Sequence, residues 1–241
     1  MTWILGDGPT EAIRERLLSA GVRADILDAL TLREVIDPLP QWWGVQRNHL
    51  FVAPDVNLPA RLIETMTGLP FADSLIVAGS NMEAIASLLV GGDGPTIFVG
   101  PGTNLMWGEI YCGARSEVIL NGRTVGTGRA MVDARNGGHV IAQPGQLWAG
   151  NVYIATDDMH RLEDVETGER INVFGGRITL GEHVWIARDA VVTGNVDVGD
   201  GSVVGARSLV RNQKVPAQSA VAGTPARVIR AGVTWRGEDT P

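Results

Sequence analysis

The sequence predicts a mainly β protein: a parallel β-helix preceded by a partly helical region and closed by a short C-terminal segment. Three observations carry this. Within residues 177–211, Leu180, Ile186, Val192, Val198, Val204 and Val210 recur at every sixth position without a slip. Glycine supplies 31 of the 241 residues, close to twice the usual share of ~7%. After Gly91-Gly92 the chain becomes short β-branched runs divided by glycine and polar residues. A helix cannot satisfy a period of six, because six steps of ~100° return the side chain to the wrong face. A hexapeptide solenoid can, with three hexads closing one triangular coil. The aliphatic residue fills the prism. The residue four later must suit a corner, and Val184, Ala190, Val196, Ser202 and Ser208 are all small or branched.

The elements follow in order. Residues 10–18 have helical spacing, with Thr10 as N-cap and Gly21 as stop. A second helix is expected over 22–30 and a third over 82–90. Pro38, Pro40, Pro54, Pro59 and Pro70 make the intervening chain loop-rich, with Trp42-Trp43 as its packing anchor. Residues 1–92 are therefore read as a helical and loop-rich N-terminal region. Residues 93–215 are read as the β-helix, with an insertion at 155–176, and 216–241 as cap and tail. Earlier hexads are more ragged: Val99 and Leu105 fit, then Ile141, Leu147 and Tyr153, with 121–138 irregular. About five coils at ~4.8 Å each give a prism roughly 25 Å tall.

Composition excludes several function classes. Twenty basic residues against 27 acidic ones leave a net charge of −7, which disfavours a nucleic-acid partner of the usual electrostatic kind. Cys112 is the single cysteine, so no intrachain disulfide forms and a reducing compartment is expected. The longest uncharged stretch, 136–156, carries Pro144 and four glycines; it is too broken for a membrane span. The first residues lack the basic and apolar regions of a signal peptide, so the expected location is cytoplasmic, with no membrane insertion.

The insertion at 155–176 carries the chemistry. Repeat proteins accept insertions as loops, often on the functional face. Here Asp157 and Asp158 stand just before His160, and Glu163 and Asp164 follow it. An imidazole of pKa about 6.5 beside a carboxylate is a minimal general base.

Asp158-Met159-His160, Thr167-Gly168-Glu169-Arg170-Ile171-Asn172, His183-Val184-Trp185-Ile186, Val203-Val204-Gly205-Ala206 and the run from Val221 to Arg230 with its Thr224-Pro225-Ala226-Arg227 resemble hexapeptide-repeat acyltransferases. The polysaccharide and sugar O-acetyltransferase branch is the most similar in this loop. The resemblance covers about 140–235, weakens over 96–138 and is absent before Gly91. It implies a left-handed β-helix, a homotrimer, acetyl-coenzyme A as co-substrate, and a sugar or polysaccharide acceptor that offers a hydroxyl or an amine. It gives His160 the role of base and Asp158 that of orienting acid, with Asp157 as its rival and a candidate for substrate contact. It places the pantetheine arm along Ala187, Gly205 and Ala206, and coenzyme phosphate at Arg227. His183 and Trp185 become candidates for substrate contact.

Three departures stand out. Ala187 replaces a usual glycine, Arg161 a common proline, and Arg211-Asn212 a frequent Thr-Lys, leaving Arg211 as a displaced cation for the coenzyme. Two other classes stay open: a non-catalytic β-helix assembly subunit, and a zinc protein like the gamma-type carbonic anhydrases. The zinc class would need His139, His160 and His183 to converge; these lack a His-x4-His pair, so no metal is expected.

Overall fold

The computed structural model describes residues 3–238. Three parallel ladders form a three-sided β-solenoid of about 7 turns, and the protein is about 11% helical. The first face stacks Leu75–Ala78, Thr96–Val99, Glu117–Leu120, His139–Ala142, Arg177–Leu180, Val196–Val198 and Lys214–Val215. The second stacks Gln146–Trp148, Trp185–Ile186, Val203–Val204 and Ser219–Gly223. The third stacks Ile85–Gly91, Val152–Ala155, Val191–Thr193 and Leu209–Arg211 in one column. Two long strands, Asn104–Gly113 and Thr124–Ala134, bend round the corner between the second and third faces and contribute to both.

The hexad aliphatics Leu180, Ile186, Val192, Val198, Val204 and Val210 all point inward and are fully buried, and the corner residues Val184, Ala190, Val196, Ser202 and Ser208 are buried with them. One register column of the core reads Val99, Leu120, Ala142, Leu180, Val198, Val215. Each coil adds one aliphatic to a continuous apolar rod, and each aliphatic side chain withdrawn from water contributes about 1.5–3 kcal/mol.

The solenoid begins earlier than the repeat suggests. His49–Val52 already pairs in parallel with Leu75–Ala78, and 85–91 is a strand where a third helix was expected. The physical reason is coil length. Leu75, Thr96 and Glu117 stack at intervals of 21 residues, not a multiple of six, whereas Ile178 and Val196 stack 18 apart, three complete hexads. The longer coils spend extra residues at corners and erase the period. The same cause shifts the phase at 141–153. Ala142, Trp148 and Ile154 face the core, while Ile141 belongs to a separate cluster outside it. Shifting a strand by one residue exchanges its two faces.

The N-terminal helices lie against the solenoid. The helix Glu11–Ala20 starts at Thr10, whose hydroxyl accepts from the Ile13 amide, and ends at Gly21 in the left-handed conformation. It buries Leu17 and Ala20 against Phe51, Val77, Phe98, Ile119 and Ile141, the outward residues of the first face. Trp43, in the helix Gln41–Val45, is buried and packs with Trp42, as an anchor should. At the other end, Ala226–Ala231 folds back antiparallel on Ser219–Gly223. This hairpin occupies the last edge of the second ladder, which protects it from pairing with another chain.

Candidate active site

The insertion leaves the solenoid after Val152–Ala155, at the corner from the third face to the first, and returns at Arg177–Leu180. Its arms meet as a small hairpin: Glu163 bridges Arg170, and the Ile171 amide donates to the Leu162 carbonyl at 2.9 Å. Side chains fix its root. Asp157 is buried, accepting from Asn136 Nδ2 at 2.6 Å and from the Met159 amide at 2.8 Å. That turn holds Met159 at φ 64° and aims His160 outward. Asn172 Nδ2 donates to the His160 carbonyl at 2.8 Å, and its Oδ1 accepts from the Leu162 amide at 3.0 Å. The backbone around His160 is tied down on both sides. Its imidazole is exposed and, among the described residues, has no hydrogen-bond partner.

Asp158 does not orient that ring. Its carboxylate accepts from Arg211 at 2.9 Å and from Asn172 at 3.4 Å. The cause is topological: Ala155, Thr193 and Arg211 form one column of the third face, and the insertion climbs this column until Asp158 meets Arg211. The pairing also takes Arg211 away from the other residues expected at the coenzyme. Asp157 is equally committed to its own loop, so the substrate contact expected of it is not available.

The remaining coenzyme candidates do come together. Ala187 and Gly205 follow Ile186 and Val204, which are register neighbours, and Ala222 follows Val221 in the next coil. A methyl on Gly205 would sit 3.1 Å from the Ala222 methyl, so the column is closely packed. Ala206 is exposed beside it, and Arg227 pairs with Ala222 across the terminal hairpin. This corner joins the second and third faces. The His160 corner lies at the opposite end of the third-face strands. Within one chain, therefore, His160 and the small-residue column sit on two edges of the same face.

His183 and Trp185 lie on the second face, under the C-terminal tail. Trp235 stacks on His183 with ring centroids 4.1 Å apart and an interplanar angle of 7°. Trp235 Nε1 donates to the His183 carbonyl at 2.8 Å, and His183 Nε2 donates to the Trp235 carbonyl at 2.9 Å. Both candidates are thus engaged with the tail, Trp185 through a tilted contact at 6.4 Å. A tryptophan beyond the last hexad was the available signal. His139 is bound to Glu117 and His49 to Glu34, and among the described residues no three His, Cys, Asp or Glu side chains converge to hold a metal ion. A cleft of about 540 Å³ lies elsewhere, between the helix Ala24–Asp28 and the solenoid. Three of its charged residues pair with one another, Arg23 with Asp25 and Glu182.

The insertion thus displays a histidine from one corner of a hexapeptide solenoid, with a column of small residues across the same face. Residues 177–212 match the family described as bacterial transferase hexapeptide (six repeats). The hexapeptide-repeat model thus matches this part of the chain, and the solenoid matches the left-handed β-helix of acetyltransferase structures. It is 31% identical over 121 residues to chloramphenicol acetyltransferase of Agrobacterium fabrum, covering 49% of this chain and 53% of that protein. Against galactoside O-acetyltransferase of Escherichia coli it is 45% identical over 53 residues, 22% of this chain and 26% of the other. The chain thus spans about half or less of the length of these curated relatives. The crystal structure of the polySia specific acetyltransferase NeuO superposes with a TM-score of 0.60 at 26% identity, over 70% of each chain.

Proposed function

We propose that the protein transfers an acetyl group from acetyl-coenzyme A to a hydroxyl of a sugar or polysaccharide, with His160 as general base. The observation that carries this reading is an imidazole with no hydrogen-bond partner among the described residues, on a turn whose backbone is tied on both sides. Its ring is free to take a proton while its backbone cannot drift. In that role the ring removes the acceptor's proton as the oxygen attacks the thioester carbonyl. The proton rests on the imidazole and then reaches the departing coenzyme thiolate. Asp158 acts as a positioning residue, holding the turn through Arg211 and Asn172. The likeness to acetyltransferases, among them one named for galactosides and one for polySia, supports the acyl group and the acceptor class.

The separation of the two edges favours a homotrimer in which His160 of one subunit faces the Ala187, Gly205 and Arg227 edge of the next. The insertion also exposes Met159, Leu162, Val165, Ile171 and Phe174, more apolar surface than an isolated loop requires, which suits burial against a neighbour. Among the described residues, no helix is long and apolar enough to cross a membrane.

His160→Ala tests the chemistry. Turnover should fall roughly 10²–10⁴-fold with coenzyme affinity nearly unchanged. A variant that keeps more than a tenth of wild-type turnover removes His160 from the role. Mixing His160→Ala with Arg227→Ala subunits should partly restore activity if the two residues meet across a subunit boundary.

A further inference from the structure

On the third face, at the root of the insertion, Arg135 is held with more care than a surface arginine needs. Its Nε and one Nη donate to the two carboxylate oxygens of Asp133 at 2.7 and 3.0 Å. The flat of the guanidinium lies 3.9 Å from the centre of the Tyr111 ring. That ring has room only because residue 91 is glycine, since a methyl there would overlap the Tyr111 hydroxyl. The backbone of Arg135 is fixed too: its amide donates to Thr156 Oγ1 at 2.9 Å. Asp133 is 6% exposed and Arg135 30%. Charge neutralisation alone would need only Asp133. The stacked ring and its glycine additionally fix the plane of the guanidinium.

One edge of that plane is unused. Among the described residues the second Nη of Arg135 has no hydrogen-bond partner, so it and its neighbour offer two parallel N–H groups. Such a fork matches a carboxylate or a pair of adjacent hydroxyls. Charge decides between them. Asp133 already neutralises Arg135, Asp158 is paired with Arg211, and Asp157 adds an uncompensated negative charge. An incoming carboxylate would meet net repulsion, whereas a diol would not. Tyr153, half-buried on the same face, lies within the field of Asp133, Arg135, Asp157 and Asp158. It also lines a hollow of about 220 Å³ with Arg129, Met131, Asn151 and Val152. Asn136, next to Arg135, is the residue that holds Asp157 before His160.

We infer that Arg135, aligned by Asp133 and Tyr111, forms the acceptor subsite and holds the vicinal hydroxyls of a neutral sugar ring beside His160. This rests on the acetyltransferase reading above. Arg135 touches the sugar; Tyr111 and Gly91 are positioning residues.

The test uses the full chain, acetyl-coenzyme A and methyl β-galactoside as the diol probe. Arg135→Lys keeps the charge but removes the fork. It should raise the KM for the galactoside about tenfold or more, as expected for lost uniform binding, with turnover, coenzyme affinity and melting temperature little changed. Tyr111→Leu should raise the same KM by a smaller factor and Tyr111→Phe should not, because phenylalanine keeps the ring face. If Arg135→Lys folds poorly, Tyr111→Leu carries the test alone. An unchanged galactoside KM in both variants overturns the subsite. So does a wild-type protein that binds coenzyme A yet neither binds nor acetylates the galactoside, or one in which only a carboxylate-bearing sugar responds to Arg135→Lys. A wild-type protein that does not bind coenzyme A at all defeats the acetyltransferase reading, and the subsite with it.

Discussion

The outward column of the first face changes character halfway along the solenoid. Phe51, Val77, Phe98, Ile119 and Ile141 are followed in the same register by Thr179, Asp197 and Lys214. The first group is apolar and lies under the helix Glu11–Ala20. The second faces water, with Thr179 donating to Asp197 and Lys214 near the same carboxylate. A coil strand buried on both sides reads as a continuous apolar run, such as Leu75–Ala78, where all four residues are buried. A strand buried on one side alternates, and only then does the hexad show. The difference teaches that repeat legibility reports solvent exposure as much as it reports fold. The insertion divides the two regimes, since it lies between His139–Ala142 and Arg177–Leu180.

The comparison can be broken by substitution in the column. Phe98→Ala should cost about 3–5 kcal/mol, as a fully buried aromatic removed from a close-packed layer does. Thr179→Ala, three coils later in the same column, should stay within about 0.5 kcal/mol. Denaturant melts of both variants check this, and similar losses at the two positions would erase the distinction between covered and open halves. A smaller effect is expected at the edge proposed for the coenzyme. Arg227 is exposed, and Arg227→Ala should raise the KM for acetyl-coenzyme A severalfold with little change in turnover. That penalty should shrink as salt screens the contact and should be weaker with dephospho-coenzyme A. Steady-state kinetics at two ionic strengths with both coenzymes decide it, and equal losses with the two move Arg227 away from the 3′-phosphate. The smallest change sharpens the comparison from the helix side. Thr10→Ala removes the cap of the covering helix and should cost about 0.5–1 kcal/mol, read as a slight fall in melting temperature; no fall would mean the helix is held by Leu17 and Ala20 alone.

Much of the site was visible in residue order. The position of the insertion, the outward His160 and the small column of Ala187 and Gly205 all follow from hexad phase and one resemblance. The partners of the acids were not visible. Asp158 and Arg211 are 53 residues apart in sequence and meet because two coils place them in one column. Arg135 and Tyr111 were hidden for a similar reason, since they belong to coils whose corners break the period.

The sequence by itself determined the class of fold, the inward residues of the last coils and the identity of the candidate base. A six-residue period admits one geometry, and a polar insertion in such a rod must project from it. Tertiary structure alone decided where the solenoid begins, which carboxylates are free and what the tail covers. These depend on stacking between coils, which joins residues some twenty positions apart or more, beyond the reach of any local pattern. The apolar outward column and the helix that buries it show this most simply: neither has a legible reason until the other is placed against it.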